Sequence, residues 1–485
     1  MKIIIAFPPL EGKGTPLLGQ NRQFQWFHHP SFIYPMVPAM AATLLKQHGH
    51  EVVWADYIAE QKKPADFERL IREQQPDLVA METKTPVIRL HWEWARRIKA
   101  LSPETRVVLM GDHVTALPEE TMRSSVADYV LLGGHYDILL DRLAAAFEKK
   151  EPMPEGIWHR TDGEPTCTGK ALLKADLNSL PLLDRDLTRW RLYGEKFYKH
   201  PPFTYTMVGR DCPWAKCRFC SWTTTYPVFS VRTPESLLDE IGQLISRYGV
   251  REIFDDTGTF PGGGWLKTFC EGMISRGYHK KVKISCNFRF DYMKPELLVL
   301  MKKAGFRLMK LGLESANQAS LDRLCKGTRA CEVEANCRMA KKAGLEVHLT
   351  IMVGHPWETR EQAMATFRLA QRLLDLGLAD MLQSTIMVPY PGTPLYQEAV
   401  AQGWLRYQPG EWEHWDMTEA ILTTPDMGPE EVMQLCNRIY RAFMTPRFML
   451  RQVLAVRSWE DVVFLSRAGK AVLGHIRDFL RTKPA

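Results

Sequence analysis

The sequence predicts an α/β protein: a doubly wound parallel sheet, then a second series of six strand–helix units, then a helical C-terminal region. Three observations carry this. Short, continuous apolar runs such as Ile3–Phe7 and Leu78–Met81 read as strands buried on both faces. Amphipathic stretches fall between them, the alternation that builds parallel sheets. The 485 residues, 45% hydrophobic and 25% charged, suffice for several packed cores and exclude general disorder.

The first sheet is expected over residues 1–150. Its strands fall at Ile3–Phe7, Glu51–Trp54, Leu78–Met81, Val107–Met110 and Tyr129–Leu132. Helical patterns between them cover Met36–Gln47, Phe67–Glu73, His91–Lys99 and Ile138–Lys149. Ligands of such sheets bind beyond the carboxyl ends of the strands. The loops there are Pro8-Pro9, Glu82–Pro86, Gly111–Pro118 and Gly133–Tyr136. Their glycines, hydroxyls and prolines suit close approach to a large ligand, and they serve equally as ordinary turn residues. No G-x-G-x-x-G follows the first strand, which speaks against a dinucleotide.

Residues 151–197, rich in Pro, Gly and charge, read as a connector, with Leu177–Leu187 packing between domains. A strand near Phe203–Met207 then leads into Cys212, Cys217 and Cys220, three of the ten cysteines within nine residues. The spacing C-x4-C-x2-C lets one loop aim three thiolates at one centre. Three sulfurs satisfy three irons of a 4Fe–4S cluster and leave the fourth iron open. A structural zinc would want a fourth ligand at similar spacing, and no Cys or His follows until Cys270. Ten cysteines are too sparse for a disulfide scaffold. The apolar start is too short for a signal peptide, so the thiols are expected to be reduced and available as ligands.

Further strand-and-loop segments follow at the spacing of successive β/α units: Glu252–Phe260, Ile284–Arg289, Met309–Ser315, Leu349–Thr359 and Met387–Leu395. With the cysteine-loop strand they make six, which suits a partial (β/α)6 barrel over residues 198–400, its chemistry at the carboxyl ends of the strands.

On these residues the chain resembles the radical SAM enzymes that carry a cobalamin-binding domain. The matching features are Phe7-Pro8-Pro9, Pro35–Val52, Pro76–Thr83 and Gly111–Glu120, then the cysteine loop with the aromatic Phe219 before its last cysteine. The family spacing is C-x3-C-x2-C, and this chain has one more residue between Cys212 and Cys217. The resemblance covers roughly residues 1–400. It implies a Rossmann-like cobalamin-binding domain, a radical SAM barrel, and a 4Fe–4S cluster on Cys212, Cys217 and Cys220. It places Phe219 near the adenine of SAM, and Asp256, Ser285, Arg289 and Glu314 around the rest of that cofactor. For Glu314 a structural salt bridge is the competing role, and for Ser285 and Arg289 it is packing within the barrel. Asp255 and Asp256 are adjacent on a strand end and point to opposite sides, so at most one faces the cavity. Pro9, Thr83, Thr85, Gly111, His113, Thr115 and Gly133 are implied to line cobalamin. The D-x-H-x-x-G signature is absent, which implies cobalamin without a protein histidine on cobalt; His113 is a loose candidate ligand, with a supporting or loop role as its other reading. No residue is assigned to the catalytic step itself.

The activity so implied is reductive cleavage of SAM to a deoxyadenosyl radical beside a corrinoid. It would serve methylation or another radical carbon-bond-forming reaction on a small-molecule or lipid substrate. An electron donor such as flavodoxin or ferredoxin is the implied partner. Two other readings stay open: a radical SAM enzyme with a vestigial cobalamin domain, and a non-catalytic corrinoid sensor with a structural metal. The remaining seven cysteines, Cys325, Cys331 and Cys337 among them, read as core or surface thiols.

Residues 401–485 read as a helical, basic region. Glu411–Asp416 suits either closure of the cavity or aromatic packing under a loop. From Asn437 to Ala485 there are ten basic and three acidic residues, so the whole net charge of +7 sits there and residues 1–436 are balanced. A basic nucleic-acid coat is thereby excluded. Leu465, Ala468, Val472, Ile476 and Phe479 form an apolar stripe beside Arg467, Lys470, Arg477 and Arg481. Such a helix is either a solvated cover of the barrel or a peripheral contact with an anionic membrane. No apolar run is long enough to span a bilayer, and the expected location is cytoplasmic.

Overall fold

The computed structural model describes residues 1–18, 24–27, 30–194, 197–440, 445–456 and 458–469. Thirteen strands build its two large sheets. In chain order the first seven are β1 (Lys2–Phe7), β2 (Glu51–Asp56), β3 (Leu78–Thr83), β4 (Arg106–Gly111), β5 (Tyr129–Leu131), β6 (Ile157–Thr161) and β7 (Glu164–Cys167). Then come β8 (Phe203–Thr206), β9 (Glu252–Asp255), β10 (Lys283–Phe288), β11 (Phe306–Glu314), β12 (Glu346–Val353) and β13 (Met381–Ile386).

The first sheet has the order β2-β1-β3-β4-β5-β6-β7. Its first five strands are parallel, and Ile3, Ile4 and Ile5 are fully buried, as covering both faces with helices requires. The helix Met36–Gln47 tolerates Pro38 because its first turn has no intrahelical partner for that amide. The stretch expected as a connector differs from expectation. It supplies β6 and β7, an antiparallel hairpin that extends this sheet from residue 157 to 167. Asp162 and Gly163, at φ 52° and 87°, make its two-residue turn. Leu177–Ser179 and Arg185–Leu187 are short 3-10 turns. There Asp184 pairs with Lys46 of the first region, while buried Arg185 donates to the Tyr205 carbonyl and to Glu240.

The second sheet runs β8-β9-β10-β11-β12-β13, all parallel, each strand beside its predecessor: an open half-barrel. Its sixth strand lies at Met381–Ile386, so Met387–Leu395, read from sequence as that strand's segment, is instead the loop beyond its carboxyl end. Three prolines and a glycine in that stretch keep it out of a sheet interior. At the amino-terminal end, buried Arg307 of β11 bonds Glu252 of β9 at 2.7 Å and Glu346 of β12 at 2.5 Å, and Lys199 bonds Glu346 at 2.7 Å. This ionic floor leaves the carboxyl-terminal end for the site. Among the described residues no helix is long and apolar enough to cross a membrane.

Candidate functional site

The loop after β8 carries the three cysteines, all free thiols of intermediate exposure. Asp255 accepts from the Thr206 hydroxyl at 2.7 Å and from the Val208 amide at 3.1 Å, which fixes where the chain leaves the sheet. Farther on, the Arg218 amide donates to the Leu324 carbonyl and the Leu395 amide to the Arg218 carbonyl, both at 3.0 Å. The Cys212 sulfur lies 3.2 Å from the Thr259 hydroxyl. Burial pushes the Cys217 and Cys220 thiols up; each feels its neighbouring cysteines, and Lys326 opposes the rise at Cys217. Phe219 packs against the cluster of Leu324, Met352, Met387 and Leu395.

Glu314 ends β11 at φ 61°, an uncommon backbone for a non-glycine residue, and its Oε1 accepts from Lys326 Nζ at 2.7 Å. A Cβ on Gly312 would lie 2.3 Å from that oxygen and 2.5 Å from that nitrogen, so glycine is what admits the pair. Burial alone would lower the Lys326 pKa, but Glu314 and Cys217 raise it. Arg289 bonds Asp291 through two nitrogens, donates to the Lys326 carbonyl at 2.9 Å, and covers the Trp214 ring at 4.3 Å. Ser285, inside β10, is fully buried with its hydroxyl unpartnered, and the second carboxylate oxygen of Asp211 is likewise orphaned. Asp256 is buried on the loop after β9, its amide on the Thr206 carbonyl.

The implied cobalamin residues gather at the carboxyl edge of the first sheet and bond one another. Thr83 meets His91 at 2.9 Å, Thr85 meets His113 at 3.2 Å, and Thr115 bridges the Gly111 carbonyl and the Gly133 amide. The Pro9 carbonyl accepts from the Trp94 indole at 2.9 Å. Gly111 sits at φ 121°, and a Cβ there would strike the Thr83 carbonyl at 2.4 Å. His113 is enclosed, its ring edge-on to Trp412 at 5.4 Å, and burial lowers its pKa to about 3. It lies on the short helix Asp112–Ala116 that follows β4.

The two carboxyl edges face each other. Arg210, two residues before Cys212, makes a two-pronged buried ion pair with Asp137 of the first region at 2.8 and 2.7 Å. The Gly134 amide donates to the Thr225 carbonyl, and the Tyr226 hydroxyl returns a bond to the Gly134 carbonyl. A Cβ on Gly392 would lie 2.6 Å from Thr224 and 3.0 Å from Ala116, so three loops converge there. Glu411–Asp416 closes one side: Trp412 donates to Glu120, Trp415 to the Pro389 carbonyl, and Asp416 accepts from Trp26 and Lys13. Both tryptophans are buried, which is the packing role. Of the other cysteines, Cys325 and Cys331 are exposed, Cys167 is partly buried, and Cys270, Cys286, Cys337 and Cys436 are buried.

Sequence reasoning missed Asp137, Arg210 and Glu358. Glu358 accepts from the Ser315 hydroxyl at 2.5 Å and pairs with His355 at 2.8 Å, tying the loops after β11 and β12. An ionisable residue just beyond an apolar strand was the available signal, although nothing in spacing alone names partners 43 or 73 residues apart.

Three thiols on one pinned loop, with cations beside them, are the donor type of an iron–sulfur cluster, while among the described residues no three ligating side chains are already gathered as a metal site. Glu82 Oε2 and both ring nitrogens of His135 are buried without a protein partner at the facing edge, polar atoms that a large polar ligand would satisfy. The family models agree with this division. The Radical SAM superfamily matches residues 206–370, and the B12 binding domain matches residues 30–139. The chain thus carries a B12 binding domain followed by a radical SAM domain. It is 25% identical over 461 residues to an uncharacterized methyltransferase of Pyrococcus horikoshii, covering 93% of this chain and 95% of that one. It is 26% identical over 496 residues to the anaerobic magnesium-protoporphyrin IX monomethyl ester cyclase of Cereibacter sphaeroides, covering 99% and 75%. Its fold is similar to that of the radical S-adenosylmethionine methyltransferase TsrM of Kitasatospora setae, with TM-score 0.64, 17% identity, and 84% and 78% coverage.

Proposed function

We propose that Cys212, Cys217 and Cys220 hold a 4Fe–4S cluster, with SAM beside Glu314, Ser285, Arg289, Asp256 and Phe219. Cobalamin would lie along Pro9, Thr83, Thr85, Gly111, His113, Thr115 and Gly133. Residues 1–150, whose sheet the 157–167 hairpin extends, would be the cobalamin domain and 198–400 the catalytic barrel, with the rest of 151–197 joining them and 401–485 covering them. Together the bound groups supply one-electron cleavage of SAM and a corrinoid methyl or radical carrier. The chain's own work is placement. The loops after β8, β9 and β11 fix the thiols, and Glu314 offers a carboxylate to a cationic or hydroxyl-bearing ligand, while Trp412 and Trp415 exclude water from the seam. The reading is radical methylation, or a related carbon-bond-forming reaction, of a small molecule, with reducing equivalents from a flavodoxin- or ferredoxin-like donor. Peripheral membrane contact through the basic C-terminal residues belongs to the same reading.

The observation that carries it is the face-to-face meeting of two carboxyl edges across the buried Arg210–Asp137 pair, with the cysteine loop between them. Anaerobic reconstitution tests it. Four irons, a corrinoid spectrum, and release of deoxyadenosine or S-adenosylhomocysteine are expected. A Cys217→Ala protein that still cleaves SAM would sink the cluster assignment, and iron without corrinoid would sink the cobalamin half.

A further inference from the structure

Helices on a protein surface turn their apolar stripe inward. The helix Pro446–Leu454 does the reverse. Met449, Leu450, Val453 and Leu454 line its outer face at 57–65% exposure, while Phe448 is buried and Arg451 reaches inward to the Asp375 carbonyl. The helical stretch over 459–469 repeats the inversion: Trp459 is 77% exposed and Val462 and Val463 follow one turn on, while Phe464 is buried. Seven large apolar side chains on two consecutive helices exceed the scattered exposure of an ordinary surface.

Charge selects the occupant. The acids of this segment are consumed on the barrel: Glu460 pairs with His200 and Arg251, and Asp461 lies 3.9 Å from Lys199. Arg447 is exposed at the start of the first helix. The sequence past residue 469, outside the described residues, adds Lys470, Arg477, Arg481 and Lys483 against Asp478 alone. An apolar face carried by a segment of net basic sequence is complementary to an anionic lipid surface, and a second copy of the same basic segment would be repelled.

We infer that this face docks the protein on an anionic bilayer, and that it does so from the amino-terminal end of the barrel. The anchors fix the end. Tyr198, Lys199, His200 and Arg251 immediately precede β8 and β9, and Asp375 closes a helix that has run back from the carboxyl edge. The membrane therefore lies opposite the cysteine loop. This extends the proposed membrane contact to named residues and does not depend on any cofactor assignment.

The test is co-flotation of the full-length protein with phosphatidylcholine vesicles, with and without phosphatidylglycerol. Expected is recovery with the anionic vesicles, roughly tenfold lower recovery with neutral ones, and loss at high salt. A Leu450→Glu/Val453→Glu/Trp459→Glu protein should stay in the soluble fraction while keeping the parent's far-UV spectrum and iron content. Trp459→Ser alone, the milder variant, should weaken flotation and leave the thermal midpoint unchanged. Failure of the parent to float, or equal flotation of the triple variant, would overturn the proposal. A parent dimer that the triple variant converts to monomer, without lipid binding, would overturn it in favour of a second copy.

Discussion

Glu314 and Lys326 show how a single pair holds a site open to ligand. Their side chains are only 8% and 14% exposed, and the space between them exists because residue 312 is glycine. Removing one partner of such a pair leaves a desolvated charge. Lys326→Met is expected to destabilise the apo protein by about 3 kcal/mol, and the Glu314→Gln/Lys326→Met double variant by less. Urea unfolding of the parent, both single variants and the double variant measures the difference. Glu314 was legible from sequence as a carboxylate ending an apolar strand. Its lysine was not assigned to it, because the partner lies past a helix whose path sequence does not give. Asp255 and Asp256 were read as opposite-facing residues of one strand end; the strand stops at Asp255, which braces the turn, and Asp256 lies on the loop beyond it.

At the scale of elements, the tie between the helix Tyr136–Lys149 and the cysteine loop is one buried arginine. Arg210→Met is expected to cost about 3–5 kcal/mol by denaturation, since Asp137 would stay buried without its partner. The same edge makes the first sheet acid-sensitive. Burial lowers His91 to about 4 and His113 to about 3, while burial and then Arg210 lower His135 to about 4. An unfolded histidine titrates near 6.5, so their stability is complete above that pH and is lost as pH falls toward the folded values. Unfolding free energy should therefore drop steeply below pH 6.5, and His91→Gln should flatten the slope. Burial raises Glu82 to about 7, which has the opposite sign. It removes stability as pH rises from its ordinary value toward 7, so Glu82→Gln should gain about 3 kcal/mol above pH 7. The parallel strands were legible because buried runs of Ile and Val are distinctive. The β6–β7 hairpin was not: its strands, Ile-Trp-His-Arg-Thr and Glu-Pro-Thr-Cys, are short and polar, the second forming the sheet's edge, and only Asp162-Gly163 marked the turn.

For the whole molecule, the half-barrel has a sealed end and a working end. The seal is ionic, and Arg307→Met should lower stability by about 3–5 kcal/mol while leaving the spectrum of a reconstituted cluster unchanged, because no thiol contacts it. Chain order predicted the half-barrel but placed its last strand one segment late. The loop after it carries the recognisable residues, and the strand Met-Leu-Gln-Ser-Thr-Ile alternates weakly. The return of the helix Arg360–Asp375 to the sealed end has a kinetic consequence. A protein resting on lipid by that end holds its reactive groups about 20 Å above the headgroups, the rise of six strand residues. Its own search becomes two-dimensional, while a reductant or a water-borne substrate still arrives through three dimensions. A substrate embedded in the bilayer would have to leave it to react.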